Sequence, residues 1–209
     1  MHYRSIATLL TAAVVSVAGL AIPSLTPHAL AAPTPSLTPT SWELTFKHGP
    51  LERLMLSVDG KQKPFWFMRY TVVNNSGRDV LFTPDFEILA DSGDVVHAFK
   101  DVPSNAFTKI KEMYKNPLME SPTNIYGKLL QGDDNAKDGV AIFSALDPDS
   151  RDFQVFISGL SGETAEVKNP VTDKPVILQK TLELDYNIPG QAIGIDPRVQ
   201  LKATKWVMK

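Results

Sequence analysis

Val176-Ile177-Leu178-Gln179-Lys180-Thr181-Leu182-Glu183-Leu184-Asp185-Tyr186-Asn187-Ile188 is the stretch on which the fold turns. Val176, Leu178, Leu182, Leu184, Tyr186 and Ile188 take alternate positions, interrupted only by Lys180. Gln179, Thr181, Glu183, Asp185 and Asn187 take the positions between. A period of two is the signature of a strand, because successive side chains leave opposite faces of the pleat. One apolar and one solvated face belong to an antiparallel sheet, since parallel sheets are covered on both sides. The alternation predicts Leu182 in a core and Glu183 in water.

The same period recurs upstream. Trp42, Leu44 and Phe46 alternate with Glu43, Thr45 and Lys47. Trp66, Met68, Tyr70 and Val72 share one face, with Arg69 and Thr71 on the other. Phe86, Ile88 and Ala90 alternate with Asp85 and Glu87. The runs 139–146 and 153–157 are apolar on both faces and read as central strands. Asn74-Asn75-Ser76-Gly77, Asp91-Ser92-Gly93-Asp94, Asp147-Pro148-Asp149-Ser150 and Pro189-Gly190 supply turn chemistry between them. About seven to nine strands at this spacing predict a mainly β fold, an antiparallel Ig-like β-sandwich.

One segment breaks the period. From Ser104 to Lys115, Phe107, Ile110, Met113 and Tyr114 recur at helical spacing, with Ala106 beside them. Pro103 and Ser104 suit a helix start, and Asn116-Pro117 suits a stop. Lys109, Lys111 and Lys115 lie towards the end that favours cations. An irregular loop, 116–124, follows with Leu118 and Met119. Residues 103–126 are therefore an insertion with one short helix, far longer than the two to five residues of ordinary hairpin loops. Loops on a rigid scaffold carry a disproportionate share of binding. The helix's apolar face is expected to pack on the sandwich. Leu118 and Met119, stiffened by Pro117 and Pro122, are the candidate partner-binding residues. The competing reading has both capping one end of the core.

Residues 1–31 read as a signal peptide. His2, Tyr3 and Arg4 form a short basic start, Ile6 to Ile22 is uncharged and apolar or small, and Ala29-Leu30-Ala31 is a cleavage signature. The expected destination is the periplasm or the extracellular side of the cell envelope. The alternative is a leader retained as an anchor. Residues 32–40 (APTPSLTPT) read as a Pro/Thr-rich linker. Residues 41–209 form one domain, and no later apolar stretch is long enough to span a bilayer. The chain has no cysteine, which excludes thiol catalysis, iron–sulfur clusters and cysteine zinc sites. A core burying about 70% of the unfolded surface does not need disulfides. Net charge is −2 with lysines scattered singly; lacking a basic stripe, the chain is not expected to bind nucleic acid.

The blocks FWFMRYTVVNNSG (65–77), GKLLQGDDNAKDGVAIF (127–143) and ISGLSGE (157–163) are similar to those of uncharacterised exported bacterial Ig-like β-sandwich proteins of unknown function. The resemblance implies the sandwich and brings no activity or functional residues with it.

Other constellations point to chemistry only weakly. Gln131 to Gly139 is acidic, and clustered oxygens suit calcium. Counted from Asp133, Lys137 and Ser144 stand where an EF-type loop needs an Asp or Asn and a Glu. His48, before Gly49-Pro50 in an expected turn, and His97, at a strand end, lack metal-ligand spacing. Gly159-Leu160-Ser161-Gly162-Glu163 lacks the glycine spacing of a nucleophile elbow. Phe65 and Phe67 lie on the face with Arg69, where they form either a contact surface or a patch covered by another element. The leading expectation is a non-enzymatic binding or interaction module of the envelope, without cofactor, whose partner is an envelope protein or glycan. The alternatives are an envelope polysaccharide hydrolase with paired carboxylates and a calcium-stabilised structural domain.

Overall fold

In the computed structural model, residues 33–189 and 199–209 are described. The signal-peptide reading of 1–31, with its Ala29-Leu30-Ala31 signature, and Gly190 of the last turn lie outside the described residues. In chain order the elements are β1 (Thr45–Val58), β2 (Lys61–Val73), β3 (Val80–Phe82), β4 (Asp85–Ala90), β5 (Val95–His97), α1 (Asn105–Tyr114), α2 (Pro122–Ile125), β6 (Gly127–Leu129), β7 (Lys137–Phe143), β8 (Asp152–Ser158), β9 (Thr164–Lys168), β10 (Pro175–Asn187) and β11 (Gln200–Met208). All strand pairs are antiparallel. A small sheet has the order β1-β2-β7. A larger one runs β11-β10-β8-β4-β5, with β9 added on β10, and β3 pairs with β6 alone.

The longest hairpin, β1–β2, closes through Asp59-Gly60, both at positive φ (53° and 74°). That is the backbone of a two-residue turn whose twist matches the strands it joins. Trp66, Met68, Tyr70 and Val72 of β2 face Phe86 and Ile88 of β4, Phe153 and Val155 of β8, and Leu182, Leu184 and Tyr186 of β10. The Phe153 and Tyr186 rings stack at 5.7 Å. Two antiparallel sheets burying their apolar faces against each other make the expected β-sandwich. The other face of the small sheet is half apolar: Leu54, Leu56, Phe65, Phe67, Val140 and Ile142 are covered by Ala106 and Ile110 of α1 and by Met119. Phe65 and Phe67 are thus a covered patch.

Several expectations are corrected. The chain has eleven strands among the described residues, because short pairs such as β3–β6 carry little periodicity. His48-Gly49-Pro50 is no turn. β1 runs straight through it, with a register shift between His48 and Leu51, since a bulge accommodates a proline that cannot donate to the ladder. β8 is a central strand, but β7 lies at the margin of the small sheet; it is buried on both faces because α1 covers its outer side. Met113 is exposed, one residue beyond the helix face that packs. The start of β10 also departs from the alternation. Residues 175–179 pair with β9, and Val176 and Ile177 are exposed there. Glu183 is not in water either. Its side chain is 10% exposed and pairs with Lys205 at 2.9 Å, while burial holds its carboxyl above the usual range.

Lys180, the break in the apolar row, is buried. Its Nζ lies 2.9 Å from Glu43 Oε2 and 3.3 Å from Glu163 Oε2. It also donates to the Ser36 carbonyl at 3.0 Å and sits 5.1 Å from the Trp206 ring centre. The Ser36 amide donates to Glu163 Oε1 at 2.8 Å. The stretch read as a linker is therefore tied to the domain at Ser36. Among the described residues no helix is long and apolar enough to cross a membrane.

Candidate functional site

The outer face of the small sheet has a second half that α1 does not cover. Strand register sets Lys47 of β1, Thr71 of β2 and Asp138 of β7 side by side. Residues directly opposite in a sheet share a face, and Arg69, two positions before Thr71, joins them. α1 ends before reaching this row. Lys115 turns the chain back through a left-handed conformation (φ 49°), its amide bonding to the Glu112 carbonyl. That reversal delivers Asn116 to the row's edge. The result is an open cleft of about 250 Å³, lined by Lys47, His48, Arg69, Thr71, Asn116 and Asp138.

Below them lie Tyr70 and Gly139, which pair across β2 and β7. A Cβ on Gly139 would come within 2.5 Å of the Tyr70 ring, so the close approach requires glycine. Burial, the largest influence, pushes the Tyr70 hydroxyl far above its ordinary value. It stays protonated.

The polar side chains are held in place. Asp138 accepts from Thr71 Oγ1 at 2.6 Å through Oδ1 and from Asn116 Nδ2 at 2.8 Å through Oδ2. The Arg69 guanidinium lies 3.5 Å from the centre of the Tyr114 ring and 3.8 Å from Glu52 Oε1. The Tyr114 hydroxyl donates to Glu52 Oε2; burial first, and that hydrogen bond next, raise its pKa. Lys137 anchors the returning loop through Glu120 at 3.0 Å. Lys47 is exposed and in none of the ion pairs of the described residues. The lining thus sets two cations, Lys47 and Arg69, beside one carboxylate, Asp138, while Glu52 outside the cleft faces Arg69. Such a lining can hold a polar group by donors and acceptors together.

The candidate pair Leu118 and Met119 is split by the structure. Met119 is 3% exposed and packs with the α1 cluster. Its backbone bridges Asp138 in parallel, which turns the side chain inward, so it caps core as the competing reading had it. Leu118 is 76% exposed. In the acidic loop, Asp133 accepts from Asn75 and Asn135 donates to the Gln131 carbonyl. Among the described residues no group of three or more His, Asp or Glu side chains could hold a metal ion. Lys47, Arg69 and Asn116 were not legible as site residues, because only strand register and the helix stop bring them together. Sequence reading touched the site at His48 and at Asp138 in the acidic stretch, each weighed for metal binding, and Arg69 was a further signal, a charge on a face otherwise marked by Phe65 and Phe67.

The fold and cleft define a mainly β, antiparallel sandwich with an open polar cleft beside an inserted helix. No protein-family model matches the chain, and no curated protein or solved structure matches it significantly.

Proposed function

We propose that the chain is an exported, non-enzymatic binding module of the cell envelope, which recognises its partner at this cleft with Leu118 on the neighbouring loop. The observation that carries the reading is the division of one sheet face: the insertion covers the apolar half and leaves the polar half open. A core-building helix has no need to stop short of a row of fixed polar side chains. The leader-like start of the chain supports an envelope location.

The test is sedimentation of residues 32–209 with isolated envelopes of the source cell. The domain is expected to co-sediment, and Lys47→Glu is expected to weaken this at least tenfold with an unchanged melt, since the exposed Lys47 side chain enters no ion pair or hydrogen bond of the described residues. Equal co-sedimentation of the two proteins would remove the cleft from the reading. Hydrolysis of envelope polysaccharide that is lost with one Asp or Glu substitution would replace a binding function with a catalytic one.

A further inference from the structure

Resting on that reading, we infer that the cleft takes a single uncharged sugar ring of an envelope polysaccharide, held through its hydroxyls. Size is the first ground. At about 250 Å³ the cleft falls just below the roughly 300–1,000 Å³ of ordinary ligand pockets. It suits one ring of a longer chain.

Charge is the second. Lys47 and Arg69 are balanced by Asp138 and by Glu52 behind Arg69. A phosphate or carboxylate would bring acceptor oxygens against the Asp138 carboxylate, and like charges repel at this range. An apolar ligand would strip water from Lys47 and Asp138 and return no hydrogen bond. A hydroxyl does neither, because it donates once and accepts twice.

The remaining hydrogen-bond capacity fits neighbouring hydroxyls. An ionised carboxylate has about four lone-pair sites. Thr71 and Asn116 occupy one on each oxygen of Asp138, so acceptor sites remain for sugar donors. The Lys47 ammonium offers donors, and Asn116 Nδ2 keeps its second proton. Adjacent ring hydroxyls can donate to Asp138 and accept from Lys47 or Asn116 at once. The lining is also fixed in advance: Asp138 by two hydrogen bonds, Arg69 by the Tyr114 ring. Preorganisation lowers the ordering cost of binding.

The experiment is a chemical-shift titration of the folded domain with neutral monosaccharides (glucose, N-acetylglucosamine, galactose and mannose), alongside glucuronate and inorganic phosphate. At least one neutral sugar is expected to shift the amides of Thr71, Asn116 and Gly139 saturably in the millimolar range. Lys47→Ala and Asp138→Asn should each weaken that response about tenfold. Asp138→Asn counts only where its melt matches wild type; Lys47→Ala carries the test otherwise. Saturation at these amides by phosphate or glucuronate, with none by neutral sugars, overturns the sugar class and leaves the cleft as a binding site. Lys47-dependent sedimentation on envelopes with no response to any neutral sugar has the same consequence. Sugar binding indifferent to both substitutions overturns the placement.

Discussion

Lys180→Met removes the ammonium from the end of the sandwich core and keeps an unbranched side chain of similar length. Glu43 and Glu163, now 2.9 Å and 3.3 Å from Lys180 Nζ, would then face each other without a cation between them. Removing one partner of a buried pair costs about 3–5 kcal/mol, because a charge is left uncompensated. The Glu43 side chain is 24% exposed and can turn partly towards water, which places the expected loss near 3 kcal/mol, at the lower end of that range. At about 2–4 °C per kcal/mol for a domain of this size, the melting temperature should fall by about 6–12 °C. The assay is thermal unfolding followed by circular dichroism at several pH values, with exposed Lys61→Met as control.

The pH dependence has a definite sign. The backbone amide of Ser36 foremost, and Lys180 after it, hold the Glu163 carboxyl below its ordinary value. A depressed folded value contributes stability above the unfolded glutamate pKa, and that contribution is lost as pH falls through the folded value. In Lys180→Met the same protonation relieves the unpaired carboxylates. The two melting curves should therefore converge below about pH 4, the ordinary glutamate range. Lys180→Met/Glu43→Gln/Glu163→Gln should recover most of the loss at neutral pH. The variant should also release Ser36, seen as faster hydrogen exchange at its amide, now bonded to Glu163. A loss under about 1 kcal/mol, the value of an exposed ion pair, would refute the reasoning. So would a deficit that does not change between pH 7 and pH 4.

Three further outcomes are expected. Met119→Ala should cost about 2–5 kcal/mol in denaturant unfolding as an emptied core position, while Leu118→Ala should stay within about 0.5 kcal/mol; equal costs would mean the loop is placed wrongly. Gly139→Ala should cost about 1–3 kcal/mol by driving a methyl into the Tyr70 ring, and an unchanged melt would show that the ring has room to move. Glu183→Gln should be neutral or stabilising at pH 7, because burial raises the Glu183 carboxyl above its usual range. A raised folded value means the wild type regains stability as pH falls through it, so the variant's advantage should shrink on acidification, and a growing advantage in a pH-resolved melt would contradict the assignment.

Local periodicity determined the class of fold and the helix. Alternation placed Leu182, Leu184 and Tyr186 in the core, and helical spacing with Pro103 and Asn116-Pro117 bounded α1. These are properties of neighbouring residues, because the pleat and the helical turn repeat over two to four positions. What lay beyond that reach was decided by tertiary structure. Alternation put Glu183 in water, but the sheet's outer face received Lys205 from β11, which closed over it. Lys180 looked like a flaw in an apolar row, and became the centre of an ion cluster only when Glu43 and Glu163 arrived from distant segments. Met119 and Leu118 are adjacent in sequence and equally apolar, yet a single backbone bridge to Asp138 decides which is buried. The cleft is the extreme case: Lys47, Arg69 and Asp138 come from three strands that only the register of β1 on β2 and β2 on β7 sets in one row, and the chain reversal at Lys115 brings Asn116 to its edge. Register is fixed by the sum of cross-strand contacts over whole strands, and no short stretch of sequence contains that sum.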